Sequence, residues 1–208
     1  MKRVFGTIFV IVILVNLYML FTFGGEPAIR PQPGEVTDPI LLPVIEQFAD
    51  AIDANQSEPK PRMELGMTYE GATLNKLAER TYKQYTVQFP ERIIGWYRMA
   101  IVQQRMGQLE KAIQTLMEGA KYAPPKMDAP HWQLGLWLID AGRIEEAKKH
   151  IATASLIKPN SLQVQIANGR IALAEGKPAL AIEILNNNRE CSRWIRVPIT
   201  RSSIPRCR

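Results

Sequence analysis

Four regimes of apolar spacing follow one another along this chain. The first has no period at all: Val4–Phe23 is a run of 20 residues without a charge, broken only by Thr7, Asn16 and Thr22, with Met1-Lys2-Arg3 ahead of it. At about 1.5 Å per residue, such a helix covers the roughly 30 Å of bilayer hydrocarbon. Residues 1–24 therefore predict a signal-anchor transmembrane helix. Lys2 and Arg3 on its short leading side set the N-terminus in the cytoplasm and the rest of the chain outside. The localisation that follows is single-pass in the cytoplasmic (inner) membrane, with the remainder periplasmic in a Gram-negative cell. Thr22-Phe23-Gly24 fits a small-residue cleavage site only loosely, and a cleaved, freely soluble exported adaptor is the alternative.

The second regime, residues 25–58, is rich in proline and acid. Seven of the 15 prolines lie between Gly24 and Arg62, where they remove backbone donors and helical freedom. This segment predicts a linker interrupted by one short amphipathic helix over 38–55. Asp38-Pro39 offers a cap and a first-turn proline, and Leu41, Val44, Ile45, Phe48 and Ile52 recur at helical spacing. The polar face carries Glu46, Asp50 and Asp53, the wrong sign for an anionic membrane surface. The helix either packs on the flank of the domain that follows or docks on something else. Seven acids against one Arg make segment 25–58 complementary to the basic stretch after it, so the helix is expected to fold back over an apolar face there as a displaceable plug.

From residue 59 the spacing becomes a repeat of about 34 residues. Leu65-Gly66, Tyr69, Ala78, Tyr82, Tyr85 and Pro90 form one unit, and Trp96, Met99-Ala100, Gly107, Ala112, Leu116 and Pro124 a second. Leu134-Gly135, Leu138, Gly142, Ala147, Ile151, Ala154 and Pro159 form a third; Gly169, Ala172, Gly176, Ala181 and Leu185 begin a fourth. In each unit a small residue is followed by Ala 12 positions later, and in the first three by Pro after another 12. This arrangement resembles the tetratricopeptide repeat, whose pattern is Trp, Leu-Gly, Tyr, Gly, Ala, a large residue, Ala and Pro. The resemblance covers residues 59–190, in units of about 59–92, 93–127, 128–161 and 162–190. It implies an all-α fold: a right-handed helical-hairpin solenoid of about 3.5 repeats following the transmembrane helix. Physically, the small residues let two antiparallel helices approach and the prolines stop each second helix. An extra residue near Pro124-Pro125 shifts the third unit and turns Trp132, rather than His131, toward a new face.

In such an array the first helix of each repeat lines a concave surface. Steps of −3, +1 and +4 from the small residue select one stripe of that helix: Met63, Met67 and Glu70; Tyr97, Ile101 and Gln104; Trp132, Leu136 and Ile139; Ile166, Arg170 and Leu173. The candidate partner groove is Met63, Met67, Tyr97, Ile101, Gln104, Trp132, Leu136, Ile139, Ile166 and Arg170. The Lys and Asn pattern by which members of the family hold a C-terminal carboxylate is absent, so the implied ligand is an apolar extended or helical segment of a partner protein. Ile101, Leu136 and Ile166 fit inter-repeat core equally well. Trp132, Tyr97, Met63 and Met67 are the stronger contact candidates.

Composition and charge narrow the function by exclusion. The net charge of +6 is unevenly spread: −4 over residues 1–58, +5 over 59–161, balance over 162–188 and +5 over 189–208. The excess at Lys83, Arg92, Arg98, Arg105 and Lys121 is scattered, which argues against a nucleic-acid surface. Two Cys and two His build neither a metal site nor a disulfide framework. His131 lacks a nucleophile at catalytic spacing, and His150 sits beside Lys148 and Lys149 on a helical face read as solvated. No phosphate, dinucleotide or hydrolase motif occurs, so no catalytic residue, cofactor or enzyme activity is expected. Residues 191–208 hold both cysteines and no helical period; they read as a basic irregular tail, a truncation or frame change, or a Cys191–Cys207 loop. The expected function is a non-catalytic, membrane-tethered scaffold or assembly factor. The alternative is a truncated recognition module of a longer exported enzyme or biogenesis complex. Oligomeric state is not fixed by the sequence.

Overall fold

The turns that close the hairpins carry the repeat. In a computed structural model, which describes residues 26–186, nine helices occur among the described residues: α1 (Leu41–Ala54), α2 (Pro59–Gly71), α3 (Asn75–Gln88), α4 (Ile93–Arg105), α5 (Leu109–Ala120), α6 (Ala129–Asp140), α7 (Ile144–Ile157), α8 (Leu162–Ala174) and α9 (Pro178–Asn186). The even-numbered helices each end in the same doubly hydrogen-bonded C-cap. Its longer-range bond runs from Leu74 N–H to the Tyr69 carbonyl at 2.9 Å, Gln108 to Gln103 at 2.9 Å, Arg143 to Leu138 at 2.8 Å and Lys177 to Ala172 at 2.8 Å. The residue before each donor needs a left-handed backbone. Gly107, Gly142 and Gly176 supply it with φ of 77°, 74° and 73°, whereas the first hairpin uses Thr73 at 60°.

The paired helices approach at the small positions. A Cβ on Gly66 would stand 2.4 Å from Tyr82 Cε1, and one on Gly135 would stand 2.2 Å from Ile151 Cδ1. Ala78, Ala112 and Ala147 are fully buried and Ala181 nearly so. These positions are the ones the 12-residue spacing picks out, because a side chain larger than methyl there would hold the helices apart.

The chain forms two compact units whose division falls inside α5, after Thr115. In the first, Leu65 and Tyr69 of α2, Leu77, Ala78 and Tyr82 of α3, and Met99 and Val102 of α4 share one core with Ile45, Ala49 and Ile52 of α1. Ile45 and Ile52 are at most 1% exposed, and full burial of such a side chain is worth about 1.5–3 kcal/mol. Helix α1 is thus core of the first unit rather than a half-buried plug. In the second unit, Ile151 and Ala154 of α7 meet Val164, Ala167 and Ile171 of α8.

Ahead of α1, residues of the proline-rich stretch form a strap along the first hairpin. Proline removes an N–H but keeps its carbonyl, and three of the strap's anchor points are carbonyls. Buried Arg62 donates to the Glu26 carbonyl at 2.7 Å, Tyr69 Oη to the Ile29 carbonyl at 2.7 Å and Gln84 Nε2 to the Pro27 carbonyl at 3.1 Å. Arg30 then spans the acidic face of α1, reaching Glu46 at 3.1 Å, Asp50 at 2.8 Å and Asp53 at 2.6 Å.

The membrane expectation is corrected. Among the described residues no helix is long and apolar enough to cross a membrane. The longest have 14 residues, about 21 Å at 1.5 Å per residue against roughly 30 Å of hydrocarbon. The Val4–Phe23 run lies outside the described residues, as does the tail at 191–208. Among the described residues the fold is an all-α helical-hairpin repeat with no transmembrane helix, and they give no support to the expected single-pass placement in the cytoplasmic membrane.

Candidate functional site

In the first unit, the first-helix stripe opens onto a cleft of about 230 Å³ lined by Glu70 of α2 and by Ile94, Tyr97, Arg98 and Ile101 of α4. Of the residues selected from the sequence, Tyr97 and Ile101 line it directly. Met67, one turn before Glu70, is 36% exposed, while Met63 leans on the core. Gln104 is exposed farther along α4.

A polar cluster sits at one side of this apolar cleft. The Glu70 side chain is only 11% exposed; its Oε2 pairs with Arg98 at 3.0 Å and its Oε1 with Arg105 at 3.0 Å. Tyr82 Oη donates to Oε2 at 2.8 Å. Burial first, and then the bond to Glu70, push the Tyr82 hydroxyl well above the ordinary phenol range, so it remains a donor at every physiological pH. Burial alone raises the Tyr97 hydroxyl. Arg98 and Arg105 lie one heptad apart on α4, which puts them on one side of the helix. Sequence reading took them as scattered surface charge. The signal that marks them is this spacing, together with the single acid, Glu70, that interrupts the apolar stripe of α2.

In the second unit the stripe is used differently. Trp132, Leu136 and Ile139 of α6 pack against the Ile151–Val164–Ala167 core and are half-buried. Ile166 is 38% exposed and Leu173 55%. Arg170 pairs with Asp140 of α6. The α6 residues are thus covered by the next helix, whereas those of α8 face solvent.

The two histidines meet in the second unit. His131 Nδ1 lies 3.4 Å from His150 Nδ1, and the ring centres are 5.7 Å apart. An imidazole nitrogen stands about 1.1 Å from its ring centre, given ring bonds of about 1.33 Å, so the rings are nearly as far apart as that contact allows. The nitrogens therefore point at one another, as in an N–H···N bond in which one ring donates. Burial lowers both pKa values from 6.5, and His131 lowers that of His150 further against an opposing pull from Glu146. No group of three or more metal-ligating side chains occurs among the described residues.

With this geometry in view, residues 95–126, which span most of α4 and all of α5, match the Tetratricopeptide repeat family. No curated protein matches the sequence. Among solved structures, the chain is similar to MamA, at 18% identity and a TM-score of 0.63 over 70% of this chain and 85% of that one. It is similar also to residues 41 to the end of MamA from Desulfovibrio magneticus RS-1, at 16% identity and 0.63 over 72% and 84%. YrrB, a tetratricopeptide protein with an unusual peptide-binding site, matches at 17% identity and 0.60 over 71% and 75%. At these identities the likeness is one of fold. The chain is thus a helical-hairpin repeat protein similar in fold to tetratricopeptide proteins, with one repeat, at 95–126, that matches the family itself.

Proposed function

We propose that this chain is a non-catalytic scaffold or assembly factor that takes an apolar peptide or helical segment of a partner protein on its first-helix stripes. The observation that carries the reading is the cleft walled by Ile94, Tyr97 and Ile101, with Met67 exposed one turn before Glu70. A concave apolar site with a few fixed polar groups is the form that segment recognition takes. Flexible Met and rigid Tyr side chains supply adaptable, high-area contact beside it. The peptide-binding use of the same fold in YrrB supports the reading. In the second unit, Ile166 and Arg170 belong to the proposed surface, and Trp132, Leu136 and Ile139 support it from beneath.

The test compares wild type with Tyr97→Ala and Ile101→Ala as baits in crosslinked affinity capture, with thermal unfolding run on each. A real partner is captured by wild type and loses about 2 kcal/mol of affinity with Tyr97→Ala, as at interface hot spots, while the fold is retained. Equal capture of every protein by all three baits overturns the proposal.

A further inference from the structure

We infer that the Glu70 cleft takes a partner segment in which an apolar side chain is accompanied by an internal carboxylate. The apolar side chain lies against Ile94, Tyr97 and Ile101, and the Asp or Glu side chain lies over Arg98 and Arg105. This rests on the proposed peptide-binding reading and names the chemistry of the ligand.

The charge of the cluster carries the inference. Two guanidinium groups converge on one carboxylate, leaving a net charge of +1. The anion is the buried member, at 11% exposure, while the side chains of Arg98 and Arg105 are 33% and 49% exposed. Both Glu70 oxygens are occupied, Oε2 twice, so the remaining arginine donors have no claim left on them. A guanidinium carries five N–H donors, and Glu70 meets each arginine through Nη1. The solvent side of the cluster is therefore cationic and rich in donors, beside an apolar wall. A purely apolar ligand would cover these donors without replacing their water, at a cost for each one left unpaired. A carboxylate over the two guanidinium groups makes charge-assisted hydrogen bonds instead.

The carboxylate is that of a side chain rather than a chain terminus. Apolar lining alternates with charge along α4: Ile94 precedes Arg98, and Ile101 stands between Arg98 and Arg105. An occupant that covers both isoleucines runs alongside the arginines rather than ending at them, and so reaches them with a side chain.

The test uses an array of N-acetylated, C-amidated dodecapeptides. Each carries Leu, Phe or Trp at varied spacing from one Asp, Glu, Asn or Gln in a Ser/Ala host, and binding to the full chain is read by fluorescence anisotropy. The expected best binders pair the apolar residue with Asp or Glu. Exchanging that acid for its amide should weaken binding about fivefold, the scale of a partly screened ion pair. The exchange should matter little in Arg105→Gln. Glu70→Gln removes the competing anion and should tighten the acidic peptide several-fold without affecting its amide counterpart, an opposite-signed effect that loss of structure would not produce. If acid and amide peptides bind alike, or Arg105→Gln leaves the difference intact, the carboxylate inference falls while peptide binding stands. If no array member exceeds the bare host peptide, both fall.

Discussion

His131 and His150 meet Nδ1 to Nδ1 at 3.4 Å, a contact with room for one proton between the rings and not for two. Both imidazoles have folded pKa values below 6.5, so the unfolded chain binds protons more readily than the folded one. Stability contributed by the pair is present above pH 6.5 and is lost as pH falls through 6.5 toward the folded values, at up to about 1.4 kcal/mol per unit of pKa depression. Denaturant unfolding at pH 7.5 and pH 5 should show a larger loss for wild type than for a His131→Gln, His150→Gln double variant. The carboxylates held low by ion pairs, Glu175 at about 2 among them, lie below this window. Equal losses in both proteins would show that the pair does not govern the response.

Thr73, with φ of 60°, stands where Gly107, Gly142 and Gly176 close the other hairpins. A β-branched residue in the left-handed region costs about 1–2 kcal/mol, partly offset by the greater unfolded-state freedom of glycine. Thr73→Gly should stabilise the chain by roughly 1 kcal/mol, and Gly142→Thr should destabilise it by at least as much. Both are read from chemical denaturation midpoints. A loss on Thr73→Gly would mean that the Thr side chain contributes more than its backbone costs.

Gly135→Ala places a methyl carbon 2.2 Å from Ile151 Cδ1 and 2.5 Å from its Cγ1. Ile151 is 1% exposed and has little space to yield, so the substitution should cost about 1–3 kcal/mol. In an Ile151→Ala background both obstructing atoms are gone. There the same substitution should be neutral, or stabilising by up to about 1 kcal/mol through helix propensity. The reversal of sign in this double-mutant cycle is the measurement; additive costs would place the strain elsewhere.

Arg30 pairs with three acids of α1, and its side chain is 36% exposed. Arg30→Ala leaves Glu46, Asp50 and Asp53 repelling one another along one helix face. A cost of about 1 kcal/mol is expected for such a partly screened network, shrinking as salt is raised. Urea unfolding at 20 mM and 500 mM NaCl, order-of-magnitude choices on either side of the Debye screening regime, measures it. A salt-independent cost would assign the effect to lost packing of the side chain stem.

What the sequence made legible and what it hid divide along a physical line. Spacing exposed everything that depends on size: Gly66 against Tyr82 and Gly135 against Ile151 are close approaches that only small residues allow, so the period of 34 marks them. Function that depends on pairing was less visible. Arg98 and Arg105 count as surface charge until α4 brings them to Glu70 of α2. His150 reads as solvated among lysines until the α6–α7 hairpin sets His131 opposite it. For Trp132, Leu136 and Ile139, an apolar stripe looks the same whether the next helix covers it or solvent does. The Val4–Phe23 run rests on hydropathy alone: it lies outside the described residues, and none of the described helices is long and apolar enough to cross a membrane.

The strap ahead of α1 is fastened by donors of the repeat, Arg62, Tyr69 and Gln84, acting on its peptide carbonyls. Every amino acid presents that same oxygen, so these anchor points ask little of the residues that carry them. The information for these three fastenings is written in the receiving helices, while the strap adds its own through Arg30 and the acids of α1. A chain could exchange the residues that offer those carbonyls and keep the three fastenings, provided Arg62, Tyr69 and Gln84 persist and Arg30 still meets α1. A distant copy of the arrangement would then be found by searching for the three donors, where matching the segment letter by letter would pass over it.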